Sequence, residues 1–303
     1  MHNKRTVSLG MKIHIFNPEN DMALASGSPG YTPPSNIRTY RQDNWQLPRL
    51  WADEGDVVWD GTSSLASFFN QGKEVPHICP WGWSPALVHQ LELAGVPHHL
   101  LPSKEYLQKL RTLSSRESTV PIQQSLGIDV AICHNLAQIE QCISRWDMVI
   151  MKSPWSSSGK GLMRTDNPNW QGWAQRILRL QGSVIVEKLV SKKLDFAMEF
   201  WAQGGKTVFL GLNVFHTDSH GHFISNISGD QEHNASIITS ALNNPDEISH
   251  FQQWFLDKLP QMAPWYEGPI GVDMLATAEG AIHPCIEINW RMTMGMAGIL
   301  RNR

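Results

Sequence analysis

Cysteine is scarce in this sequence: Cys79, Cys133, Cys142 and Cys285 are the only four among 303 residues, and no two form a Cys-x-x-Cys pair. That excludes a zinc ribbon or a thioredoxin-type dithiol, and reduced thiols in a cytoplasmic protein are the plain expectation. Positive charge is not in excess either, with 25 Lys and Arg against 28 Asp and Glu and a net charge of −3. This argues against a strongly basic binding surface, so no nucleic-acid partner is expected. No apolar run approaches the roughly 18 residues of a membrane span, so no membrane partner is expected. No apolar segment follows the basic start MHNKRTVSLG, so no signal peptide is expected; residues 1–10 read as a disordered extension or as an upstream start ahead of Met11.

What is present fits an ordinary globular chain, 41% hydrophobic and 17% charged. At roughly 100–200 residues per domain, two domains are expected. The 13 tryptophans follow no fixed period and read as core and pocket material. Residues 11–115 suggest an α/β layer with a parallel sheet. Strands are expected at 12–16, 56–60 and 75–79, with helices at 62–69 and 84–94. Ser84 caps the second helix, Pro85 occupies its first position and Gly95 closes it. The polar stretch after the first strand, from Asn17 to Asn36, reads either as a surface connection or as a ligand loop at a strand end.

Residues 116–303 have a different, α+β texture. Helix formers at 103–126 are interrupted at Ser114-Ser115 and at Pro121. Leu136, Ile139, Cys142, Ile143 and Trp146 form an apolar helical stripe. Strands follow at 148–152 and 183–190, with a helix between them around Trp173–Leu178. FAMEFWA, TVFLGLNVF and HFISNIS read as antiparallel strands, and 246–259 as a helix bounded by Pro245 and Pro260. Strands 268–277 and 281–289 are joined by a turn at Glu279-Gly280.

Two features carry chemistry. A strand ending in Lys152 runs into SPWSSSGKG, where small residues let backbone N–H groups approach phosphate oxygens and Lys160 adds a second charge. The spacing is neither a Walker A loop nor a dinucleotide fingerprint, since Pro154 and Arg164 stand where those need glycine. On its own the segment reads more readily as a polar hairpin tip than as a phosphate loop. In the last strand, alternation puts Glu287, Asn289 and Arg291 on one face. A carboxylate beside a carboxamide supplies hard oxygen ligands for Mg²⁺, and Asp273 on the neighbouring strand completes the set. Arg291 offers a bidentate fork to a phosphate or carboxylate. His216, His220 and His222 lie within HTDSHGHF, which reads as a hairpin turn or a metal site. His283 and Cys285 share the parity of Glu287 and read as supporting residues on the same face.

VIMKSPWSSSGKG (149–161), VIVEKLV (184–190), DFAMEF (195–200), GVDML (271–275) and EINWR (287–291) together resemble the ATP-grasp superfamily in order and separation. The resemblance implies a pre-ATP-grasp-like α/β domain at 11–115 and an ATP-grasp domain at 116–303, its small subdomain near 116–190 and its C-terminal part near 191–303. Most members are ligases that use ATP to join a carboxylate to an amine through an acyl phosphate. By resemblance, Lys152 contacts the nucleotide phosphates, and Ser156, Ser157, Ser158, Gly159, Lys160 and Gly161 close over them. Glu187, Lys188 and Leu189 form the hinge that reads adenine. Asp273, Glu287 and Asn289 bind Mg²⁺, with Mn²⁺ as the alternative ion, and Arg291 steadies the reacting group. A second basic residue usually precedes the small subdomain, and Arg116 is the nearest one. Asp195 and Glu199 follow near the nucleotide in motif order.

The resulting expectation is a cytoplasmic, ADP-forming ligase for a small carboxylate and a nucleophile, with a homodimer as the commonest arrangement. A kinase using the same nucleotide site and a nucleotide-binding module without turnover are the alternatives. A full metal set argues for chemistry over mere binding.

Overall fold

The computed structural model describes residues 10–69, 75–156, 161–218 and 221–302. Of the expected N-terminal extension, residues 1–9 lie outside these, and Gly10 is buried. The chain divides into two compact units after Leu107.

The first unit holds β1 (Lys12–Ile15), α1 (Asn20–Ser26), α2 (Ser35–Asn44), β2 (Val57–Val58), α3 (Ala66–Phe69), β3 (His77–Pro80) and α4 (Pro85–Leu93), with α5 (Lys104–Ser114) leading onward. Its three strands pair in parallel in the order β2-β1-β3. Central β1 is the most buried, with Ile13 and Ile15 packed among Leu65, Leu87 and Leu91. Ser84 caps α4, its hydroxyl accepting from Leu87 N–H at 3.3 Å. The polar stretch after β1 contains α1 and the start of α2, where a loop, as connection or as ligand loop, was expected. Neither helix has a side-chain cap, and α2 buries no residue, so no apolar stripe announces it. The loops after β1 and β3 are tied together, Asn17 Nδ2 donating to Gly82 O at 2.8 Å.

In the second unit α6 (Arg116–Ser125) precedes β4 (Val130–Cys133), α7 (Leu136–Trp146), β5 (Val149–Lys152), β6 (Leu162–Arg164), α8 (Trp170–Gln181) and β7 (Val184–Lys188). These strands form an antiparallel sheet in the order β4-β7-β5-β6. The apolar stripes of α7 and α8 bury Ile139 and Ala174 against Val149, Met151, Val184 and Val186. Next come β8 (Lys192–Gln203), β9 (Lys206–Thr217), β10 (Phe223–Asn226), α9 (Gln231–Ala241), α10 (Asp246–Met262), β11 (Gly268–Thr277), β12 (Ile282–Asn289) and α11 (Met294–Arg301). The second sheet is antiparallel, in the order β10-β9-β8-β11-β12. Gly204 and Gly205, at φ 59° and 70°, close the two-residue β8–β9 hairpin.

Two expected helix breaks do not occur. Pro121 lies inside α6 and Pro260 inside α10. Each proline forfeits one helical donor, but buried Val120 and Ile122 hold the first helix and Leu259 the second. Among the described residues, no helix is long and apolar enough to cross a membrane.

Candidate functional site

Lys152 ends β5 and is nearly buried, at 4% side-chain exposure. Its ammonium donates to Glu187 Oε2 at 2.7 Å and to Ile286 O at 3.4 Å. Gln123 of α6 donates to the same carboxylate oxygen at 2.9 Å and to Cys285 O at 3.0 Å. His283 Nε2 stands 3.2 Å from Glu187 Oε1. Burial pushes the Glu187 carboxyl up, but Lys152 and then His283 outweigh it and hold the group down at about 2. The lysine read from sequence as a strand-end phosphate contact is thus already paired with a buried carboxylate.

The expected hinge residues are placed apart. Glu187 points inward to Lys152, whereas Lys188 is exposed, 3.8 Å from Asp129. The Leu189 N–H is committed to Met148 O at 2.8 Å.

Both ends of the Ser/Gly loop are pinned. Ser153 N–H donates to Gly161 O at 2.9 Å, and the Ser153 hydroxyl donates to Trp155 O at 3.1 Å. Gly161 has φ 86°, and a Cβ there would fall 2.2 Å from Ser153 Oγ, so the position demands glycine. Ser156 Oγ accepts from Arg116 at 2.7 Å. Ser157, Ser158, Gly159 and Lys160 lie outside the described residues.

The β11–β12 register sets Asp273 directly opposite Glu287. Asn289 Nδ2 donates to Asp273 Oδ2 at 3.1 Å. Arg116 Nη2 reaches Glu287 Oε2 at 2.9 Å, while its Nη1 donates to Ser153 O at 2.9 Å. The arginine therefore joins the loop after β5 to the carboxylate strand. Burial, then the like charge of Glu287, pushes the Asp273 carboxyl up to about 7 against the pull of Arg291. A register shift follows Asp273, so that Leu275 faces His283. This irregular stretch of β12 includes Pro284, which has no N–H to donate, and turns the Cys285 and Ile286 carbonyls toward Gln123 and Lys152.

Strand alternation does not extend to Arg291 as expected. β12 ends at Asn289, and the arginine follows in a bend with Nη1 on Met292 O at 2.9 Å. Of the other carboxylates, Asp195 Oδ2 accepts from Lys192 at 2.5 Å and from Thr217 at 2.6 Å. Glu199 is 1% exposed; its Oε1 accepts from Thr293 at 2.7 Å, and its Oε2 has no partner among the described residues. Burial drives this carboxyl up to about 8.

Two facing carboxylates beside a carboxamide are a donor set suited to a hard divalent cation, which would relieve the repulsion that lifts Asp273. Among the described residues no group of three or more His, Cys, Asp or Glu is placed to hold a metal ion, so the carboxylate pair would rely on Asn289 for its third protein oxygen. The histidine hairpin is no exception: His222 Nδ1 lies 2.9 Å from Asp218 Oδ2, and His220 is outside the described residues. Sequence reasoning missed Gln123 and Thr293. Both act through partners 64 to 162 positions away, which no local pattern reveals.

No family model and no curated protein matches the chain. Solved structures do. N5-carboxyaminoimidazole synthetase from Staphylococcus aureus, complexed with ADP, aligns at TM-score 0.51 and 14% identity, over 94% of this chain and 71% of that one. D-alanyl-alanine synthetase A from Vibrio cholerae aligns at 0.50 and 15%, over 96% and 93% respectively. The biotin carboxylase domain of 2-oxoglutarate carboxylase from Hydrogenobacter thermophilus, in complex with MgADP, aligns at 0.52 and 12%, over 74% and 52%. These are ATP-grasp enzymes, and the chain has the ATP-grasp fold.

Proposed function

We propose that this chain is an ATP- and Mg²⁺-dependent, ADP-forming ligase that joins a small carboxylate to an amine or similar nucleophile through an acyl phosphate. The observation that supports this reading best is the facing pair Asp273 and Glu287, linked by Arg116 to the glycine-closed loop after β5. In this reading Lys152 and the 156–161 loop hold the phosphates, Lys188 and Leu189 border the adenine, and Arg291 steadies the reacting group. Mg²⁺, or Mn²⁺ in its place, would be held by Asp273, Glu287 and Asn289 and would neutralise phosphate charge. Residues 11–107 would correspond to the domain that precedes the ATP-grasp fold in such enzymes.

The test is product analysis with a panel of small carboxylates and amines. ADP and phosphate formed only when both acceptors are present mark a ligase. ADP without free phosphate marks a kinase, and no ADP at all marks a binding module. Before that screen, millimolar ATP with Mg²⁺ should raise the melting temperature, because a ligand of the native state stabilises it by mass action. An unchanged melting temperature counts against the nucleotide site itself.

A further inference from the structure

Glu187 is held by groups from three elements. Its Oε2 takes Lys152 at 2.7 Å and Gln123 at 2.9 Å, whereas Oε1 faces His283 Nε2 at 3.2 Å. His283 is 6% exposed, and its two ring nitrogens are shielded from solvent. The Nε2 approach is close but off the line of a good hydrogen bond, and Nδ1 has no hydrogen-bond partner among the described residues. A buried imidazole this poorly satisfied is not explained by packing alone.

We propose that His283 is a positioning residue for Lys152, acting through Glu187. The inference rests on the phosphate role given to Lys152 above. To reach a phosphate, the ammonium must loosen its grip on Glu187 Oε2. A carboxylate left unpaired in this buried setting is strongly unfavourable, which would hold the lysine back. His283 on Oε1 and Gln123 on Oε2 remain after the lysine turns away, so Glu187 keeps hydrogen-bond donors on both oxygens. The His283–Glu187 contact then shortens toward ordinary hydrogen-bond geometry as Lys152 moves.

The experiment uses the full chain with MgATP as the probe, in wild type, H283Q and H283L. Leucine removes the donor, so MgATP should bind about tenfold more weakly and KM for ATP should rise similarly, with kcat changing less than about twofold. Glutamine retains a donor and should restore affinity to within about threefold of wild type. A second readout needs no variant to fold: the imidazole ¹⁵N resonances of His283 in wild type should shift when MgATP is added. Equal affinity in wild type and H283L overturns the proposal. So does equal loss in both variants, which marks a purely structural residue, and so do unmoved imidazole resonances at saturating MgATP. Failure of the nucleotide reading looks different: wild type then binds no MgATP at all, and the proposal falls with it.

Discussion

Arg116 and Glu287 lie 171 positions apart in sequence, and their side chains meet at 2.9 Å. The arginine is the first residue of α6, where capping by Ser115 fixes its backbone, and it also grips Ser153 O and Ser156 Oγ. One guanidinium thus sets the distance between the loop after β5 and the last strand of the second sheet. Arg116→Ala leaves Glu287 without this partner. With Glu287 a quarter exposed, the loss should be about 2 kcal/mol, below the full figure for a broken buried pair. A double-mutant cycle with Glu287→Ala, which removes the acceptor, measured by urea unfolding, should return a coupling of about 1 kcal/mol or more. Additive losses would mean that the contact carries no energy.

Lys152→Met keeps the stem and removes the charge opposite Glu187. The folded-state value of Glu187, about 2, lies below its ordinary 4.5. Its contribution to stability is therefore fully present above about 4.5 and lost as pH falls toward 2. Without the ammonium the carboxyl titrates higher. Acid unfolding should then begin at higher pH, with about 3–5 kcal/mol lost at neutrality. Lys152→Met with Glu187→Gln should recover most of that loss. Urea midpoints from pH 2 to 7 check both statements; a double variant no more stable than Lys152→Met would show that the pairing is not the cause.

The parallel layer, the stripe of α7 and the strand pair 268–277 and 281–289 were legible because burial imposes their periodicity directly. Asp273 was legible as a residue of the strand beside Glu287, but not as its partner: the turn sets Leu275 opposite His283, and only the register shift after Asp273 brings it opposite Glu287. Helices α1, α2 and α11 were not. α2 buries nothing, and α11 carries Gly295 and Gly298 in a glycine-poor structure type. The Lys152–Glu187–Gln123–His283 cluster was invisible as a unit because its members come from four elements joined only by tertiary packing. Reading Glu187 as part of a hinge placed it correctly along the strand but said nothing of which way its carboxylate points.

Glu199 sets a second pH dependence, of opposite sign. Its folded value of about 8 exceeds its ordinary 4.5, so the folded state holds a proton that the unfolded chain releases. Stability should fall as pH rises between those two values, by at most roughly 1.4 kcal/mol per pH unit from this group. Asp273, raised to about 7, adds to the same trend. Glu199→Gln cannot ionise, and its amide oxygen still accepts from Thr293. The variant should therefore gain on wild type progressively from pH 5 to 8 in thermal unfolding. Parallel profiles would show that Glu199 is ionised and accommodated in the fold.

Glu287→Gln separates chemistry from binding. The substitution keeps the size of the side chain and leaves an amide oxygen for Arg116, so the link between loop and strand survives. What it removes is one of two negative charges facing each other across β11 and β12. With a divalent cation held there, the developing charge of phosphoryl transfer is less well organised, and kcat should drop at least about a hundredfold, comparable to losing one electrostatic stabiliser of a transition state. In the proposed reading ATP affinity should change far less, because the phosphate contacts it assigns to Lys152 and the 156–161 loop are untouched. The same substitution lifts the like charge from Asp273, whose carboxyl should then titrate below its present value of about 7. Turnover is measured with the acid and amine that the ADP-release screen identifies, and ATP affinity by calorimetry. A kcat within a fewfold of wild type would remove this strand from the reaction and leave the ligase reading without its main support.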